Sequence, residues 1–205
     1  IYLLELNGRY DGSSKFRAGD RWAFFPSFSL GYRFTEEPYW KNLKNMVSNG
    51  KLRFSYGEIG NEAVGSNMFL STTAAYNVSS SGFMWLDKKG GKRNMFTRPT
   101  WVNPSLTWER IQTKNLGLDL GFLDNQFTLT AEIFERLTKD MLAPGNAIPS
   151  AVGANAPYTN AGELRSRGWE LTLAWRKQFK KDFGLYANFS IGDSKVKVKK
   201  WNNSK

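Results

Sequence analysis

Apolar and polar residues alternate in seven separate stretches of this 205-residue chain. In the first stretch Tyr2, Leu4 and Leu6 fall on one side, whereas Glu5 and Asn7 fall on the other. A β-strand sends successive side chains to opposite faces of its sheet, so each stretch predicts a strand with one apolar and one polar face. The chain leaves little sequence for a second layer that would cover the apolar face. We therefore predict that membrane lipid covers it.

The expected strands are long enough to cross the hydrocarbon of a membrane when they are tilted. Their limits are 2–11, 21–34, 51–59, 106–122, 126–140, 163–177 and 183–197. A tight turn at Asp124 and Asn125 follows the fourth strand, and a short basic turn follows the sixth. Outer-membrane barrels have short periplasmic turns and longer external loops, so the connections 11–21, 60–105 and 141–161, which alternate with these turns, are expected outside the cell.

One helix is expected between the second and third strands. Trp40, Leu43 and Val47 recur there at helical spacing, with acidic residues before them and Gly50 after them. This pattern predicts a short amphipathic helix on the periplasmic side.

The predicted fold class is all-β, an antiparallel transmembrane β-barrel segment of about seven strands. Bacterial barrels formed by one chain have an even number of strands. An open sheet edge in lipid would leave backbone groups unpaired, at several kcal/mol each. Because seven is odd, the segment is expected to be part of a larger barrel.

Composition narrows the function. The chain has no Cys and no His, which removes disulfides, thiol chemistry and the commonest metal ligands and general bases. No phosphate-binding glycine loop or zinc spacing occurs, so we expect neither an enzyme nor a cofactor or metal site. The aromatic content of 15%, including eight Trp, is typical of membrane barrels, which gather aromatic residues at both interfaces. No apolar run is long enough for a membrane helix.

The net charge of +11 has two interpretations. The positive residues lie in solvated connections, or they contact an anion such as the phosphates of lipopolysaccharide. Nucleic-acid binding would require basic residues interleaved with stacking aromatics in one groove. The positive charge is instead scattered over the connections, so no nucleic-acid partner is expected.

Four segments carry a resemblance to a known family, in the same order along the chain. They read NPSLTWE at 103–109 with NLGLDLGFL at 115–123, RWAFFPS at 21–27, KLRFSYG at 51–57 with GN at 60–61, and NAGE at 160–163 with GWEL at 168–171. Together they resemble the TonB-dependent outer-membrane transporters of the SusC/RagA type, over nearly the whole chain.

The resemblance implies a barrel of about 22 strands with a plugged lumen. It implies a SusD-like surface lipoprotein as a lid, and import of oligosaccharides or oligopeptides driven by TonB. Residues 1–205 would be a partial barrel domain from the C-terminal half, without the plug domain, the TonB-contacting segment or the terminal strand. Ile1 opens directly into a strand without the pattern of an export signal, so the beginning of an exported parent protein is expected to be missing from this sequence. The alternative is a soluble or surface-attached β-sheet module that binds glycan, which would need a second protein layer.

A site for a sugar or peptide needs aromatic faces for stacking and polar groups for orientation. The candidate substrate-binding residues are four aromatic residues in the predicted external loops and two charged residues on the predicted lumen face, Tyr76, Trp85, Trp101, Tyr158, Arg9 and Asp11. The aromatic residues have an alternative role in packing within the loops or against the lid. Arg9 and Asp11, like Arg53, Asp119 and Glu132, have an alternative role in bonding the plug or another strand. Glu132 is expected to form a lumen ion pair with Arg136.

Overall fold

The computed structural model describes residues 1–44, 46–62, 75–76, 95–96, 102–146, 149, 156–180 and 182–201. The strands in these ranges are β1 (Tyr2–Gly12), β2 (Trp22–Tyr32), β3 (Val47–Asn61), β4 (Ala75–Tyr76), β5 (Met95–Phe96), β6 (Glu109–Phe122), β7 (Phe127–Pro144), β8 (Tyr158–Lys180) and β9 (Phe183–Lys200). The seven long strands form one sheet in the order β1-β2-β3-β6-β7-β8-β9, and β4 pairs with β5. Every neighbouring pair is antiparallel, which confirms the predicted fold class.

A single row of directly opposed residues crosses all seven long strands, and every member is aromatic or aliphatic. The row consists of Tyr2, Tyr32, Leu52, Leu118, Ala131, Leu171 and Ile191. Large apolar side chains on this face stay exposed, including Tyr2 at 78%, Leu4 at 66% and Leu6 at 70%. Within the described ranges, no second layer covers this outward face.

The apolar band on the outward face runs diagonally across the strands. On β1 it extends from Tyr2 towards Tyr10, which is the direction of the long connections. On β9 it extends from Ile191 back to Leu185, in the opposite direction. Asp193, the next residue of the same face towards the external end, is charged. Strands of membrane barrels tilt by about 35–45°, so a band parallel to the membrane must cross them obliquely. The band therefore has the course expected of lipid-facing residues on tilted strands.

Aromatic pairs flank the band on β1 and β2. Tyr2 and Tyr32 stack with ring centroids 4.8 Å apart near the periplasmic end, and Tyr10 and Trp22 stack at 5.3 Å near the external end. Tyr2 and Tyr10 are separated by about 26 Å along the strand, given about 3.3 Å per residue. Aromatic girdles at both interfaces are characteristic of membrane barrels.

The predicted helix between the second and third strands is wrong. Two short 3₁₀ helices occur instead, Phe34–Glu36 and Pro38–Leu43. Val47, which the helical spacing included, begins β3 and pairs with Phe122 of β6. The ladder with β6 pairs backbone groups that a helix this short would leave unpaired at its ends. No helix in the described part of the chain is long and apolar enough to span a membrane.

The predicted tight turn between β6 and β7 is confirmed. Leu123, Asp124 and Asn125 have positive φ angles of 51°, 52° and 63°. Asp and Asn tolerate this left-handed conformation better than most residues. The connection predicted at 141–161 is shorter than expected, because β7 continues to Pro144 and β8 begins at Tyr158.

The buried hydrophobic cluster lies at the external end of the sheet. Phe16, in the connection after β1, is 1% exposed and packs with Phe25 and Trp108. The rings of Phe25 and Trp108 meet edge to face at 5.7 Å, and Trp108 Nε1 donates to the carbonyl of Arg21 at 3.3 Å. This cluster ties the first external connection to the start of β6.

Candidate functional site

Arg53 on the polar face of β3 joins three strands. Its Nε donates to Asp119 Oδ2 of β6 at 2.7 Å, and its Nη2 donates to Glu132 Oε1 of β7 at 2.6 Å. Thr130 Oγ1 donates to Asp119 Oδ1 at 3.2 Å, and Asn115 Nδ2 donates to Glu132 Oε2 at 2.8 Å. We call these five residues the Arg53 network. Its charged groups are largely satisfied by one another, so the network fixes the wall rather than leaving a free charge for a ligand.

Gly117 makes the reach of Arg53 possible. Gly117 lies directly opposite Arg53 on one side and Glu132 on the other. A Cβ atom at this position would lie 3.0 Å from Arg53 Nη2. The glycine therefore leaves the space in which the guanidinium crosses β6, a close approach that a larger residue would obstruct.

The rest of the polar face presents hydroxyl, amide and carboxylate groups. Asn7 Nδ2 donates to Glu5 Oε1 at 2.9 Å on β1. The hydroxyls of Thr172 and Ser190 lie 3.0 Å apart on β8 and β9. Such a wall offers many orienting hydrogen bonds to a polar molecule or to a protein segment inside the lumen.

Hydrogen bonds join the motif segments 103–109 and 160–163 at the external end of the sheet. Asn160 accepts the backbone N–H of Thr107 at 3.0 Å and donates to the carbonyls of Thr107 at 2.9 Å and Asp140 at 2.7 Å. Nearby, Glu109 accepts from Asn61 Nδ2 at 2.7 Å and from the Leu142 backbone at 2.8 Å. The motif residues Asn160 and Glu109 thus hold the strand ends at the level of the external connections.

One carboxylate beyond the end of β3 has a perturbed pKa. A hydrogen bond with Ser13, and the nearby ammonium of Lys15, hold the pKa of Glu62 below its ordinary value. Lys15 Nζ lies 3.6 Å from Glu62 Oε1. This contact links the first external connection to the outer end of β3.

The structure places Arg9 and Asp11 on the polar face of β1, where they pair with each other. Arg9 Nε lies 2.7 Å from Asp11 Oδ2, and the Arg9 side chain is 61% exposed. Tyr158 begins β8 opposite Pro144 and is 47% exposed. Because β1 and β8 are far apart in the strand order, these candidates do not meet in the described sheet.

The other three aromatic candidates belong to the longest connection of the chain. Tyr76 lies in β4, opposite Met95. Trp85 and Trp101 lie outside the described residues. All six substrate-binding assignments therefore stay predictions.

The expected ion pair between Glu132 and Arg136 is wrong, because Glu132 pairs with Arg53 at 2.6 Å. Residues four apart on a strand are separated by about 13 Å, whereas residues on adjacent strands come much closer. The participation of Asn115 and Thr130 was not identified from the sequence. Their partners lie 17 and 11 residues away, and the pairing register was the missing information. Within the described ranges no group of three or more acidic, His or Cys residues forms a possible metal site.

A tilted antiparallel sheet with an uncovered apolar face and a bonded polar face is the wall of a transmembrane β-barrel. The family model described as "TonB dependent receptor-like, beta-barrel" matches residues 2–205, and the chain belongs to this family. It is thus a segment of an outer-membrane barrel, which excludes the alternative of a soluble two-layer module.

Individual relatives agree with this assignment. The chain is 32% identical over 193 residues to the TonB-dependent receptor SusC of Bacteroides thetaiotaomicron, which covers 93% of this chain and 18% of that protein. It is 28% identical over 200 residues to the TonB-dependent receptor P3 of Formosa agariphila, covering 97% of this chain and 19% of that protein. A structure of the RagAB peptide transporter superposes with a TM-score of 0.78 and 24% identity, covering 97% of this chain and 20% of the other, which supports the fold. The chain thus spans about a fifth of the length of these relatives.

Proposed function

We propose that this chain forms part of a TonB-dependent outer-membrane importer for oligosaccharides or oligopeptides, acting with a SusD-like surface lipoprotein. The observation that carries the proposal is the pairing of an uncovered apolar band with a polar face on the same strands. That arrangement suits the wall of a polar lumen in a membrane. Family membership supports import, and one structural relative is a peptide transporter.

The polar face divides into two parts in this proposal. The Arg53 network stiffens the wall across β3, β6 and β7, because its charges are already paired. Among the described residues, the hydroxyls of Thr172 and Ser190 bond to each other alone, and they keep spare hydrogen-bonding capacity. These spare groups would face the plug or the passing cargo.

Cargo recognition is assigned to the external end and the upper lumen. Tyr158 presents an exposed ring beside the long connections. Tyr76, Trp85 and Trp101 belong to the longest connection, and Arg9 and Asp11 lie on the polar face of β1. Aromatic rings stack on sugar or peptide groups, while charged groups orient them. TonB would act through the plug region of the whole transporter, and the lipoprotein would close the external side.

The test uses the intact transporter that contains this chain, purified from outer membranes. We expect a surface lipoprotein to copurify, identified by mass spectrometry, and one of two panels, oligosaccharides or oligopeptides, to bind by calorimetry. Tyr158→Ala should weaken that binding, whereas Tyr186→Ala, which removes an exposed tyrosine of the polar face near the periplasmic end, should not. Binding of neither panel by a folded transporter would overturn the importer proposal.

A further inference from the structure

The outward face changes from apolar to charged between two successive rows on β6 to β9. Leu116, Ile133 and Trp169 oppose one another in one row. The next row towards the external end consists of Lys114, Glu135, Arg167 and Lys195. On β1 to β3 the corresponding positions are Leu6, Phe28 and Tyr56. The charged residues therefore lie at the external margin of the diagonal apolar band.

Lys114, Arg165 and Arg167 surround Glu135 at this margin, and two lysines of β9 lie beside the two arginines. Arg165 and Lys197 oppose each other one row further out, next to Lys114, Arg167 and Lys195. We call Lys114, Arg165, Arg167, Lys195 and Lys197 the basic patch. Arg167 Nε bonds to Glu135, and Arg165 Nε lies 3.6 Å from the same carboxylate.

The basic patch keeps an excess of positive charge. On β6 to β9, Glu135 and Asp193 are the carboxylates on this face within these rows, so five cations meet two anions. Glu58 of β3 lies in the row of Arg165, but it pairs with Arg110 at 3.3 Å and leaves the charge of the patch unchanged. Lys195 and Lys197 have no ion-pair partner in the part of the chain that the structure describes, and both are exposed. A charged patch of this kind attracts an anionic partner at the membrane surface.

A shallow apolar groove adjoins the basic patch. Phe54, Leu116 and Ile133 line it, and Lys114, Glu135 and Arg167 line the same groove on its external side. An apolar channel that ends at ammonium and guanidinium groups fits a lipid with a phosphorylated head, whose acyl chain lies along the apolar residues. A soluble polyanion would gain nothing from the groove.

We propose that the basic patch binds the phosphates of lipopolysaccharide in the outer leaflet, with an acyl chain in the groove below. The patch lies towards the long connections, which in outer-membrane barrels are external. Lipopolysaccharide is the phosphorylated lipid of that leaflet, and its phosphates lie just outside the hydrocarbon, at the level of Lys114 and Arg167. This site is separate from the lumen and does not depend on which cargo is imported.

The test compares charge-neutral variants of the intact transporter, titrated with purified lipopolysaccharide and followed by native mass spectrometry. Lys114→Gln with Arg167→Gln should bind about 25-fold more weakly, because each basic residue at an anionic surface contributes about a fivefold gain in affinity. Lys51→Gln with Arg136→Gln is the matched control. It removes one Lys and one Arg from the polar face of β3 and β7 and should leave binding unchanged.

A third variant keeps the proposal testable if the double variant fails to insert. Glu135→Gln removes the carboxylate at the centre of the patch and should strengthen lipopolysaccharide binding. Unchanged binding in both patch variants, or an equal loss in the control, would overturn the proposal. The proposal would also be overturned if the transporter bound phosphatidylglycerol more tightly than lipopolysaccharide. The same holds if the patch variants lost the copurifying lipoprotein but still bound lipopolysaccharide normally.

Discussion

Gly117 on β6 lies directly opposite Arg53 on β3, and a Cβ atom at position 117 would lie 3.0 Å from Arg53 Nη2. Because Gly117 has no side chain, the Arg53 side chain can extend across β6. The guanidinium passes over Gly117 to reach Asp119 and Glu132. A network spanning three strands therefore depends on a residue that contributes no polar group to it.

Gly117→Ala should destabilise the intact barrel by about 1 kcal/mol, because the added methyl group displaces the Arg53 guanidinium and weakens its bonds to the two carboxylates. Urea unfolding in detergent micelles measures the change. Gly57→Ala is the matched control, since a Cβ atom there would lie at an ordinary distance of 3.4 Å from Ser27 Cβ. Equal destabilisation by both variants would mean that the Arg53 contact is irrelevant and that any loss of strand glycine has the same effect.

Arg53→Met should lower the free energy of unfolding of the intact barrel by about 1–2 kcal/mol. Asp119 and Glu132 lose their charged donor while remaining partly open to water. A double-mutant cycle with Asp119→Asn isolates the coupling between the two residues. We expect the cost of Arg53→Met to shrink in the Asp119→Asn background. Strict additivity of the two changes would show that the ion pair contributes nothing to stability.

Asn160→Ala should release the motif segment 103–109, since one amide makes three hydrogen bonds to the backbone of Thr107 and Asp140. The free energy of unfolding should fall by about 2–3 kcal/mol, at roughly 1 kcal/mol for each hydrogen bond. Hydrogen exchange of the Thr107 amide reports it as faster exchange. Asn188→Ala, at a residue of the polar face with no hydrogen bond to a described side chain, should leave that exchange rate unaltered.

Leu171→Arg should cost about 2–4 kcal/mol, because it places a charge on the lipid-facing row near the middle of the band. Thr172→Arg, at the next residue of the same strand, places the same charge on the polar face and should have little effect. Folding into lipid vesicles, monitored by the gel shift between folded and unfolded forms, compares the two. A larger cost for Thr172→Arg would reverse the assignment of the two faces.

The sequence alone determined which residues share a face and how many long strands there are. Strict alternation has one geometric meaning, so Leu4, Leu6 and the other residues of the outward face were assigned without knowledge of their neighbours. The turn at Asp124 and Asn125 was likewise local, because residues that tolerate positive φ stood between two strong strands. The family motifs then indicated the class of barrel.

Only the tertiary structure decided which residues meet across the strands. Trp40, Leu43 and Val47 had helical spacing, yet Val47 joined β3 because β6 supplied backbone partners from far along the chain. Arg53 found Asp119 and Glu132 at separations of 66 and 79 residues, and Lys114 came into line with Arg167 through the same register. Alternation repeats every two residues and is unchanged when one strand slides along another by two. The choice among such registers belongs to turn geometry and to side-chain fit across the sheet, which no single stretch of sequence contains.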